Sequence, residues 1–155
     1  MPQIVEESAL RLEFDNGSRV VALPGTEQTV RGFSAVSLLI LDEASVIDDS
    51  LFQGVKPMLA VSKGRIILLS TPLAKRGFFF DVWENGVDWM RTRITALQCP
   101  RITKEWLERE RAAIPEFWYQ QEYMCQFVET EDSVFSFDDI HAALDSTIKP
   151  LFGER

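Results

Sequence analysis

Residues 37–44 read Ser-Leu-Leu-Ile-Leu-Asp-Glu-Ala. Four apolar residues, Leu38 to Leu41, run without a break into Asp42 and Glu43. An apolar run with no polar alternation predicts a strand buried on both faces, as in a parallel sheet. Such a strand ends at the carboxyl edge of its sheet, where open α/β folds place their ligands. Two adjacent carboxylates at that edge are costly unless they have a task. In nucleotide hydrolysis the first acid holds Mg²⁺, directly or through water, and the second orients or deprotonates the attacking water. Asp42 and Glu43 are assigned those roles. The competing reading is a strand followed by an acidic helix start, with Glu43 merely favoured by the helix dipole.

Residues 65–72, Arg-Ile-Ile-Leu-Leu-Ser-Thr-Pro, repeat the pattern. A second buried strand, Ile66 to Leu69, runs into Ser70, Thr71 and a proline that stops it. Parallel neighbours need a crossover of about a dozen residues or more, and residues 43–64 supply one. The carboxylate pair and the hydroxyl pair are therefore expected at the same sheet edge, on neighbouring strands. Small hydroxyls there can hydrogen-bond a γ-phosphate or the attacking water and so sense hydrolysis.

These two strands resemble the ATPase half of viral and prophage large terminases, the motors that package DNA into capsids. Asp42-Glu43 is similar to the family's Walker B motif with its catalytic glutamate, and Ser70-Thr71-Pro72 to its coupling motif. Thr29-Val30-Arg31-Gly32-Phe33, Gly77-Phe78-Phe79 and Gln121-Glu122-Tyr123 agree, and the likeness covers roughly residues 8–140. The resemblance implies that Arg31 reaches a neighbouring copy's ATP as a finger, stabilising charge on the transferred phosphoryl group. A surface or ion-paired arginine is the plainer alternative. The resemblance also implies ATP and Mg²⁺ in a complete motor. Its implied partners are double-stranded DNA, a portal protein, a small terminase subunit and further copies of the large subunit. The family's phosphate loop, Gly-x-x-x-x-Gly-Lys-Ser/Thr, has no match in this sequence. The chain thus reads as the second half of an ATPase domain, residues 1–130, followed by an acidic linker segment, 131–155, leading toward a nuclease domain.

Composition narrows the class. With 155 residues, 46% of them hydrophobic, the chain can build a core of its own. No apolar run approaches the roughly 20 residues of a membrane helix, and the acidic N-terminus lacks the apolar core of a signal peptide. The expected location is the cytoplasm of a bacterial host. Cys99 and Cys125 are far apart and His141 is the lone histidine, so neither a zinc framework nor a redox motif is expected. The cysteines are expected as buried reduced thiols and His141 as a surface residue. A net charge of −8 argues against a free-standing non-specific DNA binder. Residues 56–104 nonetheless hold nine Lys or Arg against three acids. That field can meet phosphates or be an ordinary solvated face.

The remaining elements follow from local signals. Residues 10–23 predict a β-hairpin turning at Asp15-Asn16-Gly17. Gly32 permits a turn beside Arg31. Ser50 is expected to cap a helix in the crossover, Pro57 to interrupt it, and Met58 to Val61 to form a second turn. Phe78, Phe79, Phe80, Val82 and Trp83 predict an aromatic core cluster, with a docking face as the alternative. Residues 88–97 alternate as a strand. Thr103 caps a helix through about Ala113, and Pro115 starts the next. Tyr119, Tyr123 and Phe127 fall on one helical face, and Ser136 with Asp139 predicts a short helix over 137–144.

The fold expected is α/β: a partial P-loop (ASCE-type) ATPase core with a mainly parallel sheet, an N-terminal β-hairpin and C-terminal helices. Without a phosphate cradle the isolated chain is expected to be inert towards ATP, with an open edge beside the Ser-Thr strand for a loop, a tail or another copy to cover. The rivals are a superfamily 2 helicase fragment, which also pairs an Asp-Glu-Ala motif with a Ser/Thr motif, and a non-catalytic prophage-derived binding module.

Overall fold

The computed structural model describes residues 2–23, 32–129 and 143. The chain divides into two compact units, Met1–Leu69 and Ser70–Arg155.

The first unit begins with a three-stranded antiparallel sheet, β1 (Ile4–Ser8), β2 (Arg11–Phe14) and β3 (Arg19–Val21), in that order. The β2–β3 hairpin turns at the expected residues. Gly17 takes φ 78, and Asn16 Oδ1 accepts from the Ser18 N–H at 3.0 Å and the Ser18 hydroxyl at 2.6 Å. β1 has no counterpart in the sequence reading. All five of its residues are exposed, so it is held by its backbone ladder to β2, from Ile4 opposite Phe14 to Ser8 opposite Arg11. A strand without a buried face leaves little hydrophobic pattern to read.

β4 (Leu38–Leu41) and β5 (Arg65–Leu68) form a two-stranded parallel sheet with Leu38 opposite Arg65 and Leu41 opposite Leu68. Between them run a 3₁₀ turn at Ala44–Val46, helix α1 (Asp49–Val55) and a second 3₁₀ turn, Lys56–Leu59, that contains Pro57. The helix cap is Asp48, not Ser50, which lies inside the first turn. The second turn also starts two residues earlier than expected. The return to β5 is tight: Lys63 takes φ 51, and a Cβ on Gly64 would meet the Val36 carbonyl oxygen at 2.0 Å. Only glycine fits there. The Ser62 hydroxyl donates to the same carbonyl at 2.5 Å.

Burial departs from expectation. Leu41, Ala44, Leu51, Phe52, Val55 and Met58 are buried, and Leu39, Ile66 and Leu68 are half-buried. The alternate residues Leu38, Ile40, Ile67 and Leu69 are 44, 53, 41 and 49% exposed. Among the described residues, burial on the sheet is one-sided rather than two-sided.

In the second unit, Gly77 (φ 80) opens helix α2 (Gly77–Asn85). Phe78 and Phe80 are buried, and the rings of Phe79, Phe80 and Trp83 lie 5.9, 5.0 and 6.4 Å from that of Phe127. The aromatic cluster is core packing. Residues 88–97 form no strand. Asp88 takes φ 64, which breaks extension, and Met90 and Ile94 are 94 and 66% exposed, so alternation there does not mark a core face. Instead the Arg91 guanidinium donates to the carbonyls of Val82 (2.9 Å) and Gly86 (2.7 Å), closing the end of α2. Thr95 and Gln98 then form a capping box.

Helix α3 (Lys104–Ala113) is capped as expected, Thr103 accepting from the Trp106 N–H at 3.2 Å. Helix α4 (Glu116–Glu122) follows Pro115, which sits at the cap rather than inside the helix. The expected aromatic stripe splits. The Tyr119 and Tyr123 rings pack at a tilt, 5.3 Å apart, but the helix ends before Phe127, which joins α2. Cys99 and Cys125 are free and half-buried rather than fully buried. The turn at Pro24-Gly25, residue Arg31, the Ser136–Asp139 cap with its helix over 137–144, and His141 lie outside the described residues. Among the described residues no helix is long and apolar enough to cross a membrane.

Candidate active site

The acidic pair sits where the apolar run stops. Leu41 is buried, Asp42 and Glu43 are exposed, and Ala44 is fully buried. Two hydrogen bonds hold this corner against β5: the Leu69 N–H donates to the Leu41 carbonyl at 2.9 Å, and the Ala44 N–H to the Leu69 carbonyl at 3.0 Å. The backbone must reverse direction between Leu41 and Ala44, and it does so at Glu43, which takes φ 52 and ψ 43. A non-glycine residue in that region carries strain of about 1–3 kcal/mol, tolerated where the surroundings over-determine it. The Glu43 N–H donates to Asp42 Oδ1 at 3.1 Å, so the two acids are ordered relative to each other. Glu43 is the N-cap residue of the 3₁₀ turn Ala44–Val46, and its side chain makes no capping hydrogen bond there.

The parallel register carries β4 and β5 to a common carboxyl edge at Leu41 and Leu68. Ser70 and Thr71, one and two residues beyond Leu69, are half-buried and begin the second unit. Asp42 and Glu43 belong to the first. Arg31 lies outside the described residues. Among the described residues no group of three or more His, Cys, Asp or Glu side chains is placed to hold a metal. Asp42 and Glu43 both offer exposed carboxylate oxygens at the edge. That suits Mg²⁺, which keeps several waters and takes one or two carboxylates beside phosphate oxygens.

One feature of the second unit had no sequence signal. The loop after Pro72 is bonded to a segment far along the chain. The Val128 N–H donates to the Leu73 carbonyl (3.0 Å), the Lys75 N–H to the Val128 carbonyl (3.2 Å), and Lys75 Nζ pairs with Glu129 at 2.9 Å. The ion pair spans 54 residues of sequence, beyond any local pattern. It fixes the loop that follows the hydroxyl pair. Elsewhere in this unit a cavity of about 320 Å³ is lined by Leu97, Leu107 and Met124 with Lys104, Arg111 and Tyr119, and by none of the expected site residues.

Known proteins resemble the chain over part or most of its length. Large terminase subunits of Thermus phage G20c and Thermus virus P23-45 are each 27% identical over 164 aligned positions, covering 85% of this chain and 34% of theirs. The chain therefore spans about a third of the length of these relatives. A probable terminase large subunit of Enterobacteria phage P7 is 41% identical over 59 residues, 37% of this chain and 12% of its own. The solved large terminase ATPase domain of Thermus phage P74-26 superposes with a TM-score of 0.63 at 21% identity, over 82% of this chain and 64% of that one. It shows a shared fold. The family described as terminase large subunit, T4likevirus-type, N-terminal, matches residues 3–142, and the chain belongs to it.

Proposed function

We propose that this chain supplies the acidic strand and the coupling strand of a terminase motor that hydrolyses ATP to package DNA. The observation that supports this most is the corner at Glu43: a left-handed glutamate between a buried strand end and a buried alanine, bonded across to Leu69. In this reading Asp42 is the Walker B acid and holds Mg²⁺. That ion supplies charge neutralisation at the phosphate oxygens when bound. Glu43 accepts a proton from the water that attacks the γ-phosphate. Ser70 and Thr71 hydrogen-bond the phosphate or that water, and pass its loss to the loop held by Lys75 and Val128. Arg31 acts from a neighbouring copy. The partners are those of a packaging motor: double-stranded DNA, a portal protein, a small terminase subunit and other large-subunit copies.

The sequence contains no Gly-x-x-x-x-Gly-Lys-Ser/Thr loop. Positioning and charge stabilisation of the phosphates come chiefly from such a loop. The 155-residue chain by itself is accordingly inert towards ATP. The test has two arms. Calorimetry with Mg-ATP and a phosphate-release assay on the chain alone should show neither saturable micromolar binding nor Glu43-dependent turnover. When a terminase phosphate-loop segment is joined to its N-terminus, hydrolysis should appear. Glu43→Gln should then lower it by about 10²–10⁴ while ATP binding persists. A loss within threefold of the parent would remove Glu43 from the chemistry.

A further inference from the structure

Consecutive residues 127, 128 and 129 grip the stretch that follows the hydroxyl pair, each by a different means. The Phe127 ring lies among those of Phe79, Phe80 and Trp83 on α2. The Val128 backbone bonds both ways with the loop, its N–H to the Leu73 carbonyl and its carbonyl to the Lys75 N–H, a parallel bridge opposite Ala74. The Glu129 carboxylate takes Lys75 Nζ at 2.9 Å, with both side chains more than half shielded from solvent. Ring, backbone and charge thus act at successive positions on one target, residues 73–83.

That target is stiffly tied to the hydroxyls. Only Thr71 and Pro72 separate Ser70 from Leu73. A proline fixes its own φ, and the residue before it is confined to extended backbone. So short and restricted a link has little slack to absorb a shift of Leu73. At its other end the loop turns sharply into α2: the Arg76 N–H donates to the Ala74 carbonyl at 2.7 Å, and Gly77 takes φ 80.

We infer that residues 127–129 are a positioning staple for Ser70 and Thr71, with the Lys75–Glu129 pair as its releasable catch. The chain continues from Thr130 to Arg155. A load or a partner acting on that continuation pulls first on Glu129. Opening the ion pair then loosens Val128, and with it the loop. A part-exposed ion pair is the weakest of the three holds and so the one to give way. The coupling is reciprocal: whatever shifts Ser70 and Thr71 also changes the hold on Glu129. The inference rests on the roles proposed above for the two hydroxyls, and adds a route by which events outside the site set their position.

Nuclear magnetic resonance on the 155-residue chain, without nucleotide, tests the staple through amide hydrogen exchange and backbone order parameters. Glu129→Lys sets two cations together and should speed exchange at the Val128 and Lys75 amides by about fivefold. The order parameters of Ser70 and Thr71 should fall with it, from the rigid value of about 0.85 towards about 0.6, while the β2–β3 hairpin is unchanged. Glu129→Gln should give the same pattern, with exchange faster by about twofold. Lys75→Glu combined with Glu129→Lys should restore both readouts, because the swap recreates the pair. If Ser70 and Thr71 keep their order while the Val128 and Lys75 amides open, the hold ends at the loop and the inference is overturned. Unchanged exchange at Val128 and Lys75 in both variants overturns it too, as does a charge swap that restores neither readout. Should Glu129→Lys loosen the hairpin as well, Glu129→Gln decides by the same readings. No nucleotide enters these measurements, so their outcome is separate from that of Glu43 and hydrolysis.

Discussion

The two units keep their order by different means. In the first, backbone ladders hold segments whose side chains are largely exposed: β1 is exposed throughout, and Leu38, Ile40 and Ile67 of the β4–β5 pair are 44, 53 and 41% exposed. In the second, side chains do most of the holding, beside a single backbone bridge between Ala74 and Val128. Phe127 fills the aromatic cluster of α2, Arg91 closes the carbonyl end of that helix, and Lys75 grips Glu129. A ladder fixes register without needing a filled core. A core of interlocked rings fixes distant chain segments without needing regular structure.

The most direct way to break this comparison is to remove one apolar side chain from each unit. Phe80 is 3% exposed and its ring lies 5.0 Å from that of Phe127. Phe80→Ala should cost about 3–5 kcal/mol, the usual range for deleting a buried ring. Ile40 is 53% exposed, so Ile40→Ala in dilute solution should cost less than about 1 kcal/mol. Chemical denaturation of both variants reads the difference. If Ile40→Ala cost as much as Phe80→Ala, the β4–β5 face would be covered in solution and the contrast between the units would fall.

Legibility in the sequence follows the same division. β4, β5, their parallel order and the hairpin turn were readable because each rests on a contiguous run or a local turn residue. Thr103 and Pro115 marked helix starts for the same reason. What escaped reading was non-local or unpatterned. β1 buries nothing. Residues 88–97 alternate in hydropathy yet are tied down by Arg91, whose bonds to Val82 and Gly86 no period encodes. Phe127 matched the spacing of Tyr119 and Tyr123, but α4 ends at Glu122, and the residue serves α2 instead. At the site, adjacency of Asp42 and Glu43 to a strand end was legible. The left-handed turn at Glu43 was not, because nothing in a glutamate announces positive φ.

That turn offers a smaller and more pointed test. Glu43→Gly removes the steric cost of φ 52 and should raise stability by about 0.5–1 kcal/mol, measured by thermal unfolding of the chain alone. The gain is partly offset by the greater freedom of glycine in the unfolded state. Almost any other loss of an ordered side chain lowers stability, so the sign is diagnostic. A stability loss would mean that Glu43 makes contacts that outweigh its strain, and that the corner is structural rather than held ready for chemistry.

The smallest effect belongs to the exposed ion pair that joins α3 to α4. Arg111 donates twice to the Glu116 carboxylate, at 3.0 and 2.8 Å, and Gln120 donates to it at 2.6 Å. The Arg111 hydrogen bonds, then that from Gln120, hold the Glu116 carboxyl below its ordinary value. The folded state therefore binds this proton less tightly than the unfolded chain, and stability rises with pH across the window. The contribution is complete above the ordinary carboxylate value and is lost as pH falls through the lowered folded one. Both partners are more than half exposed, so solvent and salt screen the pair and the effect is slight. The melting-temperature difference between wild type and Glu116→Gln should favour wild type near neutral pH, about 7, and shrink as pH falls below about 4. It should also shrink in about 1 M salt at neutral pH. A difference that held constant with pH would show that the α3–α4 junction rests on the Trp106–Tyr123 ring contact and not on charge.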